Sequence, residues 1–116
     1  MSDRPLSVSL IHLIARPRDY DGRRVCLTGF LSLEFEGTCL YLHREDWEHG
    51  ILDNGVWVEF RHGDVTHGRE QDLNLRYVRV EATFRLSRTG HMGAFRNGGL
   101  CDLTRCTPWP PSGPNL

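Results

Sequence analysis

A run of alternating apolar residues at positions 23–35 constrains the fold more than any other feature of this sequence. The face that it builds contains every second residue: Val25, Leu27, Gly29, Leu31, Leu33 and Phe35. A period of two predicts a β-strand, and this one would have about twelve residues, roughly twice the usual length. A glycine inside a strand is typical of a bulge or a tight coil. We therefore expect a long first strand that bends near Gly29.

Shorter segments further along the chain predict four more strands. They are separated by turn residues such as Asp53-Asn54-Gly55 and by the glycine-rich residues 87–99. The predicted strands cover residues 39–42, 56–60, 77–86 and 100–107. Residues 43–50 predict a polar turn or a single helical turn that stops at Gly50.

A short helix is predicted before the first strand, at residues 7–15. Either Ser7 or Ser9 can cap it, and the helix must stop before Pro17. Its apolar stripe is predicted to contain Val8, Ile11 and either His12 or Ala15, widened by Leu10, Leu13 and Ile14. We expect this helix to close an open end of the barrel.

These elements predict a mainly β protein, a five-stranded OB-like small barrel with a short N-terminal α-helix. A coiled first strand that pairs with both sheets is typical of that fold, and an SH3-like barrel is the alternative. The usual OB helix lies between strands three and four, where this chain has only the polar residues 61–72. We expect one domain over residues 1–110 and a flexible tail at 111–116.

Several motifs of the chain resemble a group of small uncharacterised bacterial proteins that are built on OB-like barrels. The similarity is carried by the run from Tyr20 to Phe60, by Gly90-His91-Met92-Gly93 and by the end flanked by Pro108. It extends over most of the chain, from Val8 to Trp109. The resemblance implies the barrel, but it implies no catalytic residue and no ligand.

Charge and hydropathy exclude some classes of partner. The formal net charge is −1, with fourteen arginines, no lysine and fifteen acidic residues, so the chain lacks the overall positive field of a non-specific nucleic-acid binder. No apolar run approaches the roughly 20 residues of a membrane helix. We expect a cytoplasmic protein that binds no membrane.

The residues that could carry catalysis or bind a cofactor lack the spacing those roles require. The four cysteines form no C-x-x-C pair and predict free thiols. The six histidines have no H-x-x-x-H spacing, and no G-x-S-x-G or phosphate-loop motif is present. We therefore expect no enzyme activity and no cofactor. A metal-dependent enzyme that uses loop histidines is the third function considered.

Two segments have the composition of a protein-binding surface. One is the acidic segment of residues 43–50, and the other is a glycine-rich loop with apolar and arginine residues. The candidate partner-binding residues are Glu45, Asp46, Trp47, Arg88, His91, Met92, Phe95 and Arg96. The leading hypothesis is a non-enzymatic module that recognises a protein partner, for example a small inhibitor or immunity-type protein.

The alternative hypothesis is a single-stranded nucleic-acid-binding OB domain. Aromatic rings on one sheet face can stack on bases, and arginines can contact phosphates. The candidate residues on outward strand positions are Tyr41, Trp57, Tyr77, Arg79 and Arg85. Glu59 and Glu81 are predicted on the same face, where they would repel phosphate.

Overall fold

The structure is a computed structural model that describes residues 4–34, 38–59, 70–86 and 97–111. Its strands are β1 (Leu6–Ser7), β2 (Arg24–Ser32), β3 (Cys39–Tyr41), β4 (Gly55–Val58), β5 (Arg76–Arg85) and β6 (Gly99–Pro108). Its α-helices are α1 (Leu10–Ala15) and α2 (Arg44–Glu48). Within these ranges, no helix has the length and apolar character needed to cross a membrane.

Strands β2 to β6 form a closed barrel in the order β2-β3-β4-β6-β5, with β5 pairing back to β2. Closure depends on β2, which pairs with β5 along one edge and with both β1 and β3 along the other. β4 and β6 are parallel, whereas β2–β3, β3–β4, β2–β5 and β5–β6 are antiparallel. The predicted mainly β, five-stranded small barrel with a short N-terminal helix is confirmed for the described residues.

Gly29 allows β3 to approach β2 closely. A Cβ atom at this position would lie 2.7 Å from Leu40 Cγ and 2.8 Å from the carbonyl oxygen of Tyr41. The register between β2 and β5 runs through Gly29 without interruption, so Gly29 forms no bulge against β5, and the tight coil stays a prediction. The strand is shorter than predicted and ends at Ser32, while Phe35 lies outside the described residues.

The barrel interior is filled by the inward residues of every barrel strand. Fully buried side chains from β2, β3, β4, β5 and β6 include Leu27, Leu31, Leu40, Val56, Val80, Phe84 and Leu100. Helix α1 adds Leu10 and Leu13, which are 1% and 0% exposed. Each such leucine contributes roughly 1.5–3 kcal/mol of hydrophobic stabilisation, so α1 is anchored to the core.

The N-terminal helix is shorter than the predicted span of residues 7–15, and its predicted apolar stripe is wrong at one position, Ile11. Ser9 caps it, since its Oγ accepts a hydrogen bond from the backbone N–H of His12 (3.2 Å), and the helix begins at Leu10. Leu6 and Ser7 instead form β1, parallel to β2. Leu10 and Leu13 of the predicted stripe are buried, and Val8 and Ile14 pack partly buried against the core, whereas Ile11 is 55% exposed.

None of the four cysteines forms a disulfide, as predicted, and all four are buried. Cys106 pairs in register with Val80 and belongs to the interior, whereas Cys101 lies opposite Thr83, beyond an irregularity in the pairing of β5 and β6. Arg24 of β2 holds this irregular segment, because its guanidinium donates to Thr83 Oγ1 (3.1 Å) and to the carbonyl oxygen of Asp102 (2.6 Å).

We expect Gly29→Ala to lower the free energy of unfolding by about 3 kcal/mol, because the new methyl group would overlap Leu40 and a backbone oxygen that cannot move independently. Gly50→Ala is the matched control. Gly50 has a φ of +64° but no atom within 4 Å of an added Cβ, so its cost should stay near 1 kcal/mol. Urea unfolding measures both, and equal losses would contradict the close approach.

We expect Cys39 and Cys106 to resist thiol reagents in the folded protein. Burial raises the pKa of each thiol from 9.0 to about 12, so only about one thiol in ten thousand is ionised at pH 8. Above pH 9 the unfolded chain releases these protons first, so stability should fall as the pH rises towards 12. Mass spectrometry after iodoacetamide treatment tests the first expectation; rapid labelling of either residue at pH 8 would contradict it.

Candidate binding cleft beside the outer aromatic cluster

A second, smaller cluster of side chains lies on the outside of the barrel. The register places Phe30 of β2 between Tyr41 of β3 and Tyr77 of β5. The rings of Phe30 and Tyr77 meet edge to face, with centroids 5.2 Å apart and an interplanar angle of 68°. Phe30, Cys39 and Tyr41 are buried there, and Trp47 and Trp57 pack against them. We call these residues together with Tyr77 the outer aromatic cluster.

Helix α2 covers the outer aromatic cluster. The Trp47 ring lies 5.8 Å from the Phe30 ring. The Tyr77 hydroxyl oxygen accepts a hydrogen bond from the backbone N–H of Arg44 (3.0 Å). Asp46 is 6% exposed and holds the start of the helix, since its carboxylate accepts from the backbone N–H of His43 (2.9 Å) and from Asn54 Nδ2 (2.8 Å). These contacts fix α2 against the barrel.

Because α2 covers it, the predicted nucleic-acid face is only partly available to a ligand. Tyr41 points out of the barrel as predicted, yet it is 7% exposed. Its hydroxyl is desolvated by burial and lies near Cys39, which together raise the pKa of Tyr41 to about 12. Trp57 and Arg79 are half-buried and Tyr77 is 37% exposed. Arg85 is exposed, six residues along β5 from Arg79 and opposite Gly99.

The predicted partner-binding residues also separate into different environments. Glu45 is exposed, Trp47 is half-buried against Phe30, and Asp46 is buried with its carboxylate already hydrogen-bonded. The role of Asp46 as a partner contact stays a prediction, and its carboxylate already accepts two hydrogen bonds inside the chain. Five further candidates lie outside the described residues: Arg88, His91, Met92, Phe95 and Arg96.

A cleft of about 690 Å³ opens next to this cluster. One wall is the N-terminal segment from Leu6 to His12, and the floor is the stretch of β2 from Cys26 to Gly29. Tyr77 and Arg79 of β5 line it as well, together with Leu42 and His43. On this edge β2 pairs with β1 at Val25–Cys26 and with β3 from Phe30 onwards, so the cleft lies in the gap between these two pairings.

The cleft combines exposed apolar side chains with cationic and titratable groups. Leu6, Ile11 and Tyr77 are 37%, 55% and 37% exposed. Arg79, His12 and His43 supply the polar part, and no described residue of the lining carries a carboxylate. A volume of this size with an apolar lining and a few polar groups is typical of a ligand or peptide site. Among the described parts of the chain, no group of three His, Cys, Asp or Glu residues is placed to hold a metal.

Sequence reasoning did not predict this cleft. Ile11 was placed on the buried stripe, and Leu6 was placed in no element. The usable signal was the presence of more apolar residues at positions 6–14 than one helix face can bury.

We expect Asp46→Ala to lower the free energy of unfolding by about 2–3 kcal/mol, because the His43 N–H and the Asn54 amide would lose their acceptor. Glu45→Ala, a neighbouring exposed residue on the same helix, should change it by less than about 0.5 kcal/mol. Urea unfolding followed by tryptophan fluorescence measures both. Equal effects would contradict the anchoring role of Asp46.

Comparison with known proteins finds a similar fold but indicates no activity. The sequence matches no protein-family model and no curated protein. The fold is similar to the crystal structure of a DUF3299 family protein from Pseudomonas aeruginosa, with a TM-score of 0.61 and 14% sequence identity, covering 95% of this chain and 99% of that chain. At this identity the similarity concerns the fold alone, which is a small β-barrel also found in a bacterial protein.

Proposed function

We propose that this chain is a non-enzymatic, OB-like binding module that recognises a protein partner in the cleft. The observation that carries the proposal is the grouping of Leu6, Ile11 and Tyr77, three large apolar side chains that stay 37–55% exposed around one depression. Apolar residues that gather at one exposed site, with a polar rim, mark interaction surfaces more often than scattered ones do. Tyrosine and arginine are enriched in protein interfaces, and Tyr77 and Arg79 line this cleft.

The OB-like assignment is part of the same proposal. It is supported by five-strand closure and by β2, which pairs with both β3 and β5 as the coiled first strand of such a barrel does. OB barrels serve many ligands, so the site and not the fold must identify the partner.

A cytoplasmic location fits four free, buried thiols, since disulfides are rare in that reducing compartment. A small inhibitor or immunity-type protein is one concrete form of this function. Its single small barrel would act by occupying a surface of another protein.

Single-stranded nucleic acid is the less favoured ligand. Base stacking needs open aromatic faces, whereas α2 covers Phe30 and Tyr41 and packs Trp47 against them. Glu81 of the same outer surface already pairs with Arg105 at 3.3 Å, so the charge of that arginine is not left for a phosphate.

We expect Ile11→Arg to abolish capture of the partner, because a charged side chain would replace the most exposed apolar residue of the cleft. Ile51→Arg is the matched control, since Ile51 is 42% exposed and lies outside the cleft. The immobilised wild type and Ile51→Arg should retain the same stoichiometric protein from a lysate of the source cell, and Ile11→Arg should retain at least tenfold less.

Two outcomes would contradict this function. One is the absence of any stoichiometric protein above background, and the other is equal retention by Ile11→Arg. Titration with a single-stranded oligonucleotide at about 50 mM salt adds a separate control. Micromolar or tighter binding with a steep salt dependence would favour the nucleic-acid hypothesis instead.

A further inference from the structure

Arg79 lies in the cleft with its guanidinium held in place by uncharged groups. Its Nη1 donates to Thr28 Oγ1 at 3.3 Å, and its Cζ lies 5.0 Å from the centroid of the Trp109 ring. Trp109 is positioned by its backbone N–H, which donates to the carbonyl oxygen of Tyr77 at 2.9 Å. A guanidinium that lies over an aromatic ring is attracted to the ring face and can still donate hydrogen bonds through its other N–H groups.

The surroundings of Arg79 differ from those of three other described arginines, each of which pairs with a carboxylate. Arg105 pairs with Glu81 at 3.3 Å, Arg44 with Glu48 at 3.5 Å, and Arg16 with Asp19 at 3.8 Å. Arg79 has no carboxylate partner among the described residues, and neither its hydroxyl partner nor its ring partner neutralises its charge. The positive charge of Arg79 is therefore available at the cleft.

The other described residues that line the cleft leave the charge of Arg79 unopposed. His12 and His43 are exposed there, and the lining that the described residues form includes no Asp or Glu. Beside these groups lie the apolar side chains of Leu6 and Ile11. An occupant that complements both parts needs an apolar side chain and a nearby negative charge. Carboxylates fit a guanidinium through paired, charge-assisted hydrogen bonds.

We propose that the partner inserts a peptide segment whose apolar side chain packs against Leu6 and Ile11, and whose Asp or Glu carboxylate binds the guanidinium of Arg79. This inference rests on the proposed function, since it names the chemistry of the segment that the cleft recognises. Arg79 is thereby the specificity residue of the cleft, while the apolar wall supplies affinity that does not depend on charge.

A random decapeptide library displayed on phage tests this inference without knowledge of the partner. The full chain is immobilised as wild type, Arg79→Gln, Arg79→Lys and Ile11→Arg. Arg85→Gln serves as the matched control, because Arg85 is an exposed arginine on the same strand outside the cleft. Wild type and Arg85→Gln should enrich peptides with an apolar residue and an Asp or Glu at a constant spacing.

The variants separate the two parts of the cleft. Arg79→Gln should lose the acidic preference but keep the apolar one, and Arg79→Lys should keep the acidic preference at lower affinity. Calorimetry should then compare one enriched peptide with its Glu→Gln or Asp→Asn version. The neutral version should bind the wild-type protein about tenfold to a hundredfold more weakly than the acidic peptide does. For Arg79→Gln the two peptides should differ by less than about threefold.

The failures of the two proposals are distinguishable. Enriched peptides that lack an acidic residue, or an acidic preference that survives in Arg79→Gln, would overturn the role of Arg79 and leave the apolar cleft as the binding site. Equal enrichment by wild type and Ile11→Arg, or no enrichment by wild type at all, would overturn the proposed function and this inference with it.

Discussion

The pairing of β2 along both of its edges is the constraint on which the rest of the structure depends. Val25 lies opposite Leu6 on one side and Ala82 on the other, and Phe30 lies between Tyr41 and Tyr77. This double pairing closes the barrel, and alternation along the same strand separates an inner core from an outer cluster. It is sterically possible because Gly29 has no side chain where Leu40 and the β3 backbone approach.

The outer aromatic cluster decides which surface remains for a partner. Aromatic side chains on the outside of a barrel can either bind a ligand or be buried in a second cluster. Here α2 packs over them, so they are part of a second cluster. The buried Asp46 carboxylate and the hydrogen bond from Arg44 to Tyr77 hold the helix in that position. Exposed apolar side chains from the N-terminal segment and Tyr77 line a cleft at the edge of the cluster.

The exclusive use of arginine has a structural counterpart around the barrel. A guanidinium can pair with a carboxylate, as Arg105 does with Glu81, or hold several neutral oxygens, as Arg24 does. It can also lie over an indole ring, as Arg79 does. A lysine ammonium cannot reproduce the planar stacking or the paired hydrogen bonds. Arginine therefore stabilises the barrel at positions such as 24 and 105, and at position 79 it supplies a positive charge to the cleft.

Local patterns in the sequence determined the elements of the fold. Period-two alternation, turn residues and the interior Gly29 were enough to predict five strands, a short N-terminal helix and the turn helix that stops at Gly50, since each depends on neighbours along the chain. Alternation also predicted correctly that Tyr41 and Tyr77 point away from the barrel interior. The start of α1 at Leu10 was less predictable, because two serines could cap the helix and either would agree with the apolar pattern.

The tertiary structure alone decided which outward residues are accessible. Whether Tyr41 is exposed or buried depends on whether α2 packs over it. No periodic pattern in the sequence predicts that contact. The cleft joins residues 6–12, 26–29 and 77–79, which are far apart in sequence, through a parallel pairing of only two residues in β1. The sequence by itself determined which side chains face in or out of the barrel. Long-range packing decided which outward ones stay exposed, because burial depends on what the rest of the chain places above them.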